Sequence, residues 1–255
     1  MQVIRVDKEW AELEPYTTVF STRKWLDLIG EPYRLWGVYK GREIVGGLVD
    51  CDSVDVKLTP YHGIVAKSKS YEYPVAKALA DTTGLNIINH YSMTDIRPFL
   101  WKGYKPVLRY TYITGRDVAY EKDTRYEIGK AAGREITEGT IEQFWSMYQE
   151  TFIRKVMKPP VDYNWLQEFN EIMRPKIYMI GDLAGAVIIS DKHRGYYIFG
   201  ASTKDAQNTG ASSAVLCYAI SLRDEVDLVG CNNESVALFK RGFAKELKVC
   251  LGVER

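Results

Sequence analysis

The segment Gln207-Asn-Thr-Gly210-Ala211-Ser212 reads Q-x-x-G-x-S and stands directly before an apolar run. Small residues at this spacing let backbone N–H groups close on a diphosphate, and a helix starting at Ser212 would add the partial positive charge of its N-terminus. The same residues also suit a plain helix cap without any ligand, with Thr209 or Ser212 supplying the side-chain oxygen. A second candidate group is basic. Arg154, Lys155 and Lys158 close the amphipathic stretch 141–154, where cations either finish a helix or meet an anionic partner. In a strand, neighbouring Tyr196 and Tyr197 would point to opposite faces, one into the core and one toward a cleft. Cys51, Cys217, Cys231 and Cys250 form no C-x-x-C pair, and His62, His90 and His193 are equally scattered. No metal or redox site is therefore expected, and the cysteines read as small buried thiols.

The elements that position these residues belong to a folded chain. Of its 255 residues, 46% are hydrophobic and 26% charged, close to the globular average, which excludes a disordered or low-complexity protein. The net charge of +1 provides no bulk field for DNA or an anionic membrane, so any nucleic-acid contact must come from a local patch. Apolar runs such as 184–189 are far short of the roughly 18 residues a spanning helix needs, and the start Met-Gln-Val-Ile-Arg-Val has no signal-peptide core. The expectation is a cytoplasmic protein without membrane insertion.

Periodicity predicts a hairpin over 34–39 and 44–49, a third strand over 54–58, a helix over 73–81, a strand over 85–89, a helix over 95–102 and a strand over 107–113. The second half repeats this order: a hairpin over 177–180 and 184–189, a strand over 195–199, a helix over 212–222, a strand over 226–229, a helix over 234–241 and a strand over 247–251. Gly46 and Gly185 stand 139 residues apart, as do Gly103 and Gly242, while Trp25 and Trp165 stand 140 apart. A constant offset across unrelated elements predicts two copies of one α/β unit, residues 1–120 and 121–255, joined through the charged stretch 117–134. In the first copy the place of the Gln207–Ser212 loop is taken by Ser70-Tyr-Glu-Tyr-Pro-Val75, whose bulk and acid should exclude a diphosphate.

The ordered segments Gly195–Thr203 (G-Y-Y-I-F-G-A-S-T), Gly210–Ile220, Val226–Gly230 and Ser235–Phe243 (S-V-A-L-F-K-R-G-F) resemble the C-terminal half of the FemABX family within the GNAT acyltransferase superfamily. Phe20–Leu26 and Asp95–Tyr104 resemble its first half, so the likeness spans nearly the whole chain. Two departures stand out: Phe243-Ala244 replaces the family's closing Phe-Gly, and no coiled-coil arm is inserted. The second casts doubt on a peptidoglycan acceptor more than on the fold.

The resemblance implies an α/β (α+β) fold of two tandem GNAT-like units, each a mixed twisted sheet flanked by helices. It implies an N-acyltransferase that takes an acyl or aminoacyl group from acyl-CoA or aminoacyl-tRNA, with no metal. The acceptor would bear an amine and could be a small molecule, a peptide or a cell-envelope precursor. A non-catalytic double-GNAT binding scaffold is the alternative. Donor contacts would come from Gln207, Gly210, Ala211, Ser212, Gly200 and Ser202. A strand bulge at Phe199-Gly200-Ala201 would offer the Ala201 N–H to the carbonyl oxygen. Lys240, which by default would be a solvated helical lysine, takes a role near the transferred carbonyl or the donor phosphates. Asp227, Glu234 and Asp205 remain open as proton acceptors. Tyr197, Phe239, Arg154 and Lys158 are candidates for the acceptor side or for the acceptor end of a tRNA.

Overall fold

The computed structural model describes residues 1–82 and 84–255. In chain order the elements are β1 (Gln2–Arg5), α1 (Arg23–Ile29), β2 (Tyr33–Lys40), β3 (Glu43–Cys51), β4 (Ile64–Ala66), α2 (Lys69–Leu79), β5 (Ile87–Ile88), α3 (Arg97–Leu100) and β6 (Lys105–Thr114). There follow α4 (Lys122–Lys130), β7 (Thr137–Glu138), α5 (Ile141–Arg154), α6 (Tyr163–Met173), β8 (Lys176–Ile180), β9 (Ala184–Ser190), β10 (Gly195–Ser202), α7 (Ala211–Ser221), β11 (Val226–Asp227), α8 (Glu234–Arg241) and β12 (Glu246–Glu254). The chain forms two compact units, residues 1–110 with 248–255, and residues 111–247. The boundary thus lies earlier than the charged stretch suggested. The C-terminal tail joins the first unit because β12 pairs with β5 there, Gly252 opposite Ile88 and Val253 opposite Ile87.

In the first unit β1-β2-β3-β4 form an antiparallel sheet. Its core gathers Val38, Val45 and Leu48 with Val75, Ala76 and Leu79 of α2. Gly46 is needed in β3 because a side chain there would press on the Val75 methyls at 2.6 Å. The strand expected over 54–58 is absent. Asp52, Ser53, Asp55 and Thr59 turn the chain instead, with Ser53 Oγ accepting from the Asp55 N–H at 3.0 Å, and β4 at 64–66 is the third strand of the sheet. Residues 70–75 are the opening turns of α2, so no small-residue loop stands at its head.

In the second unit the strand order is β6-β11-β10-β9-β8-β7. β10 and β11 run parallel and the other pairings within 111–247 are antiparallel. Helix α7 covers one face, packing Ala211, Ala214, Val215 and Ala219 on Tyr178, Ala186 and Ile188. Phe144 and Tyr148 of α5 and Phe169 of α6 cover the other. Gly185 admits α5, since a Cβ there would lie 3.0 Å from the Phe144 ring. Helix α5 keeps the predicted bounds because its sequence sets both the apolar stripe and the start: Thr140 and Gln143 form a reciprocal capping box. Gly46 and Gly185 both lie in the second strand of a hairpin, β2-β3 and β8-β9, and Gly103 and Gly242 both follow a helix, α3 and α8.

Candidate functional site

The second unit gathers most of the candidate residues around β10. This strand pairs with β9 over its length but with β11 only at Gly195 opposite Val226 and Tyr196 opposite Asp227. Beyond Tyr196, residues 197–202 have a strand partner on one side alone among the described residues. A parallel pair that parts after two residues leaves an open edge of backbone groups between the two strands.

The register of β10 shifts between Tyr197 and Phe199. The bulge therefore sits at Ile198, not at 199–201 as expected, and Ala201 is regularly paired opposite Gly185. The extra residue inverts the alternation of side chains. Tyr197, opposite Ile188, faces α7, whereas Phe199, opposite Val187, meets Tyr148, Trp165 and Phe169 across the other face. Tyr197 then lies back along its own strand over Gly200, where any Cβ would collide with its hydroxyl. Tyr196 is fully buried and donates its hydroxyl to Asp191 at 2.6 Å.

Lys240 reaches this edge from α8. Its Nζ donates to the carbonyls of Val229 and of Gly230, the latter at 3.2 Å, and stands 5.6 Å from the Tyr197 ring centroid. Only 8% of the residue is exposed, which corrects the expectation of a solvated helical lysine. Burial pushes its ammonium from 10.5 down to about 8, against the opposing pull of Asp227 and Cys231. Burial also raises the Tyr197 hydroxyl above the ordinary phenol value, so it remains protonated.

Asp227 is completely buried. Its Oδ1 accepts from Thr111 Oγ1 at 2.5 Å and from the Val229 N–H at 2.8 Å. Glu234 opens α8 and Asp205 lies in the loop before α7, both exposed.

Ser202, Gln207, Gly210, Ala211 and Ser212 line one cleft of about 220 Å³ at the head of α7, together with Glu127, Asn208 and Ser213. Gly210 is the N-cap, with φ +73°, and a Cβ on it would strike the Glu127 carbonyl oxygen of α4. Thr209 Oγ1 accepts the Ala211 N–H at 3.3 Å, so part of the capping role falls to that residue. Glu127 adds a carboxylate to the cleft, paired with Lys130 at 2.5 Å. Arg154 donates Nη2 to Ser202 Oγ at 3.2 Å. Thr151 of α5 accepts the Ser202 N–H at 2.8 Å and donates to its carbonyl, taking the place of a missing strand at the end of β10. Lys158 is exposed in the segment after α5, and Phe239 packs on Phe243. Among the described residues that line the cleft, neither appears.

Glu127, Thr151 and Thr111 were not singled out from the sequence. Each acts on a partner distant in the chain, and local pattern carries no trace of such pairs. Among the described residues no group of three or more His, Cys, Asp or Glu side chains could hold a metal, and no helix is long and apolar enough to cross a membrane.

The second unit thus sets an open β10 edge beside a helix headed by small residues. No protein family profile matches the chain. No curated protein matches it either. Solved structures do share its fold. FemX aligns over 98% of this chain and 97% of its own, with a TM-score of 0.71 at 12% identity. The C-terminal domain of a putative lysylphosphatidylglycerol synthetase from Agrobacterium fabrum covers 97% of this chain and 91% of its own, at 0.60 and 8%. A GNAT-family acetyltransferase from Colwellia psychrerythraea covers 100% of both, at 0.58 and 10%. At these identities the likeness is one of fold.

Proposed function

We propose that the protein is an N-acyltransferase that moves an acyl or aminoacyl group from acyl-CoA or aminoacyl-tRNA to an amine, with the donor held by the second unit. One observation carries the reading: among the described residues no strand pairs with the β11 side of β10 beyond Tyr196, and this edge runs from Tyr197, beside the Lys240 ammonium, toward Ser202 at the α7 cleft. An activated carrier bound along such an edge has its phosphates at the helix head, where N–H groups and the helix dipole favour anions. Its carbonyl then lies among backbone donors and beside a buried cation. Attack by an amine builds negative charge on that oxygen, and a preorganised donor in a site shielded from water stabilises it. Lys240 is the residue for this role, and Tyr197 forms the wall against which the acyl group lies.

The sites Gln207, Gly210, Ala211, Ser212 and Ser202 are assigned to the donor, and Arg154 to an anionic group entering beside Ser202. The acceptor bears an amine. Small molecules, peptides and cell-envelope precursors all supply such a group. Calorimetry with CoA, acetyl-CoA and an aminoacylated tRNA pool tests the proposal. Binding of one class, abolished by a bulky residue at Ser212, is expected. Binding of none, or binding that maps to residues 1–110, overturns it.

A further inference from the structure

Val229 and Gly230 follow β11 with φ of +49° and +55°. Left-handed backbone is unfavourable for a β-branched residue such as valine, and it persists only where the surroundings hold it. Two groups do so. The Asp227 carboxylate accepts the Val229 N–H at 2.8 Å, and Lys240 Nζ donates to the carbonyls of Val229 and Gly230. Anion and cation thus grip one short turn through its opposite backbone groups. Asp227 is itself held by Thr111 Oγ1 at 2.5 Å, a residue 1% exposed on β6.

We propose that Asp227, oriented by Thr111, is a positioning residue: it fixes the Val229–Gly230 turn as the seat of the Lys240 ammonium and supplies that ammonium's counter-charge at the β10 edge. The inference rests on the role given to Lys240 above and gives Asp227 a task other than accepting the amine's proton. Its Oδ1 already accepts two hydrogen bonds inside the fold, where an incoming amine does not reach. The groups acting on the ammonium are Asp227, the Cys231 thiol and the face of Tyr197. Asp227 and Cys231 hold the Lys240 value up against burial, and of the two only Asp227 is a carboxylate. The Cys231 thiol, pushed up to about 11, is neutral at pH 7.

The test is an NMR titration of the Lys240 side chain in the full-length protein with labelled lysine. The wild-type midpoint is expected near 8. Asp227→Asn keeps the shape and removes the charge, and should lower the midpoint by about one unit or more. Thr111→Val should lower it by a smaller amount, and Thr111→Ser, which restores the hydroxyl, should return it to the wild-type value. A purely structural role for Asp227 moves stability but not this midpoint. An unchanged midpoint in Asp227→Asn overturns the inference. Should that variant not fold, an unchanged midpoint in Thr111→Val does the same. The titration needs no substrate, so it stands apart from the donor-binding experiment: failure of donor binding overturns the proposed function and leaves the coupling of Asp227 to Lys240 measurable.

Discussion

Replacing Lys240 by methionine removes the charge while keeping most of the stem, and its consequences can be worked out in both stability and rate. In the folded protein the ammonium has fallen from 10.5 to about 8. At pH 7 the charged form therefore carries a cost on the order of 3 kcal/mol relative to the unfolded chain, at about 1.4 kcal/mol per pKa unit. Methionine relieves that cost but leaves the Val229 and Gly230 carbonyls without their donor; Val229 is half-buried and Gly230 exposed, so water replaces part of the loss, which stays within roughly 1–3 kcal/mol in all. The two effects oppose each other, as they do when buried charges give way to apolar groups. Melting near pH 7 should shift by no more than about 5 °C, since 1 kcal/mol corresponds to about 2–4 °C in a chain of this size.

The pH dependence is more revealing. Between about 8 and 10.5 the unfolded wild-type chain holds a proton at Lys240 that the folded chain has released, so wild-type stability rises with pH across that window. Lys240→Met lacks this rise, and groups common to both proteins cancel in the difference. The stability difference between the two should open by a few kcal/mol in favour of wild type from pH 8 to 10.5, read by urea denaturation. Turnover with the identified donor should fall about 10²–10³-fold, because one oxyanion donor is worth roughly 2.7–4 kcal/mol of barrier. Equal stability slopes in the two proteins would refute the burial of the ammonium. Normal melting with full turnover would refute its part in catalysis.

Gly210→Ala places a methyl group at φ +73° against the Glu127 carbonyl oxygen. It should lower stability by about 2 kcal/mol or more and abolish donor binding, and an unchanged urea midpoint would show that α4 does not close on the α7 head as described. His62, completely buried in the first unit, is pushed by burial from 6.5 to about 4. The unfolded histidine takes up its proton first, so stability present above pH 6.5 drains away as pH falls toward 4, by about 3 kcal/mol. His62→Leu should flatten that slope in acid denaturation, and an identical slope would place the histidine in solvent.

What the sequence determined by itself was local. Apolar spacing and caps are properties of neighbouring residues, so α5 and α8 fall on their predicted bounds and both hairpins appear within a residue or two. The small residues at the head of α7 were legible for the same reason: their spacing along the chain is their spacing in the turn. The false strand at 54–58 shows the limit, because alternation there was outweighed by side chains that bond to the backbone two residues away. The centre of the candidate site was decided by tertiary structure alone. A bulge at Ile198, invisible to composition, puts Tyr197 and Phe199 on opposite faces of the sheet, and the Lys240 ammonium stands by the Tyr197 ring. Lys240 looks like any helical lysine in sequence. In the fold its ammonium meets the carbonyls of a left-handed turn whose Val229 N–H bonds to Asp227, itself bonded to Thr111 on a strand 116 residues earlier. Burial and charge at a site are sums over partners that the fold brings together from far along the chain, and local pattern holds no information about those sums.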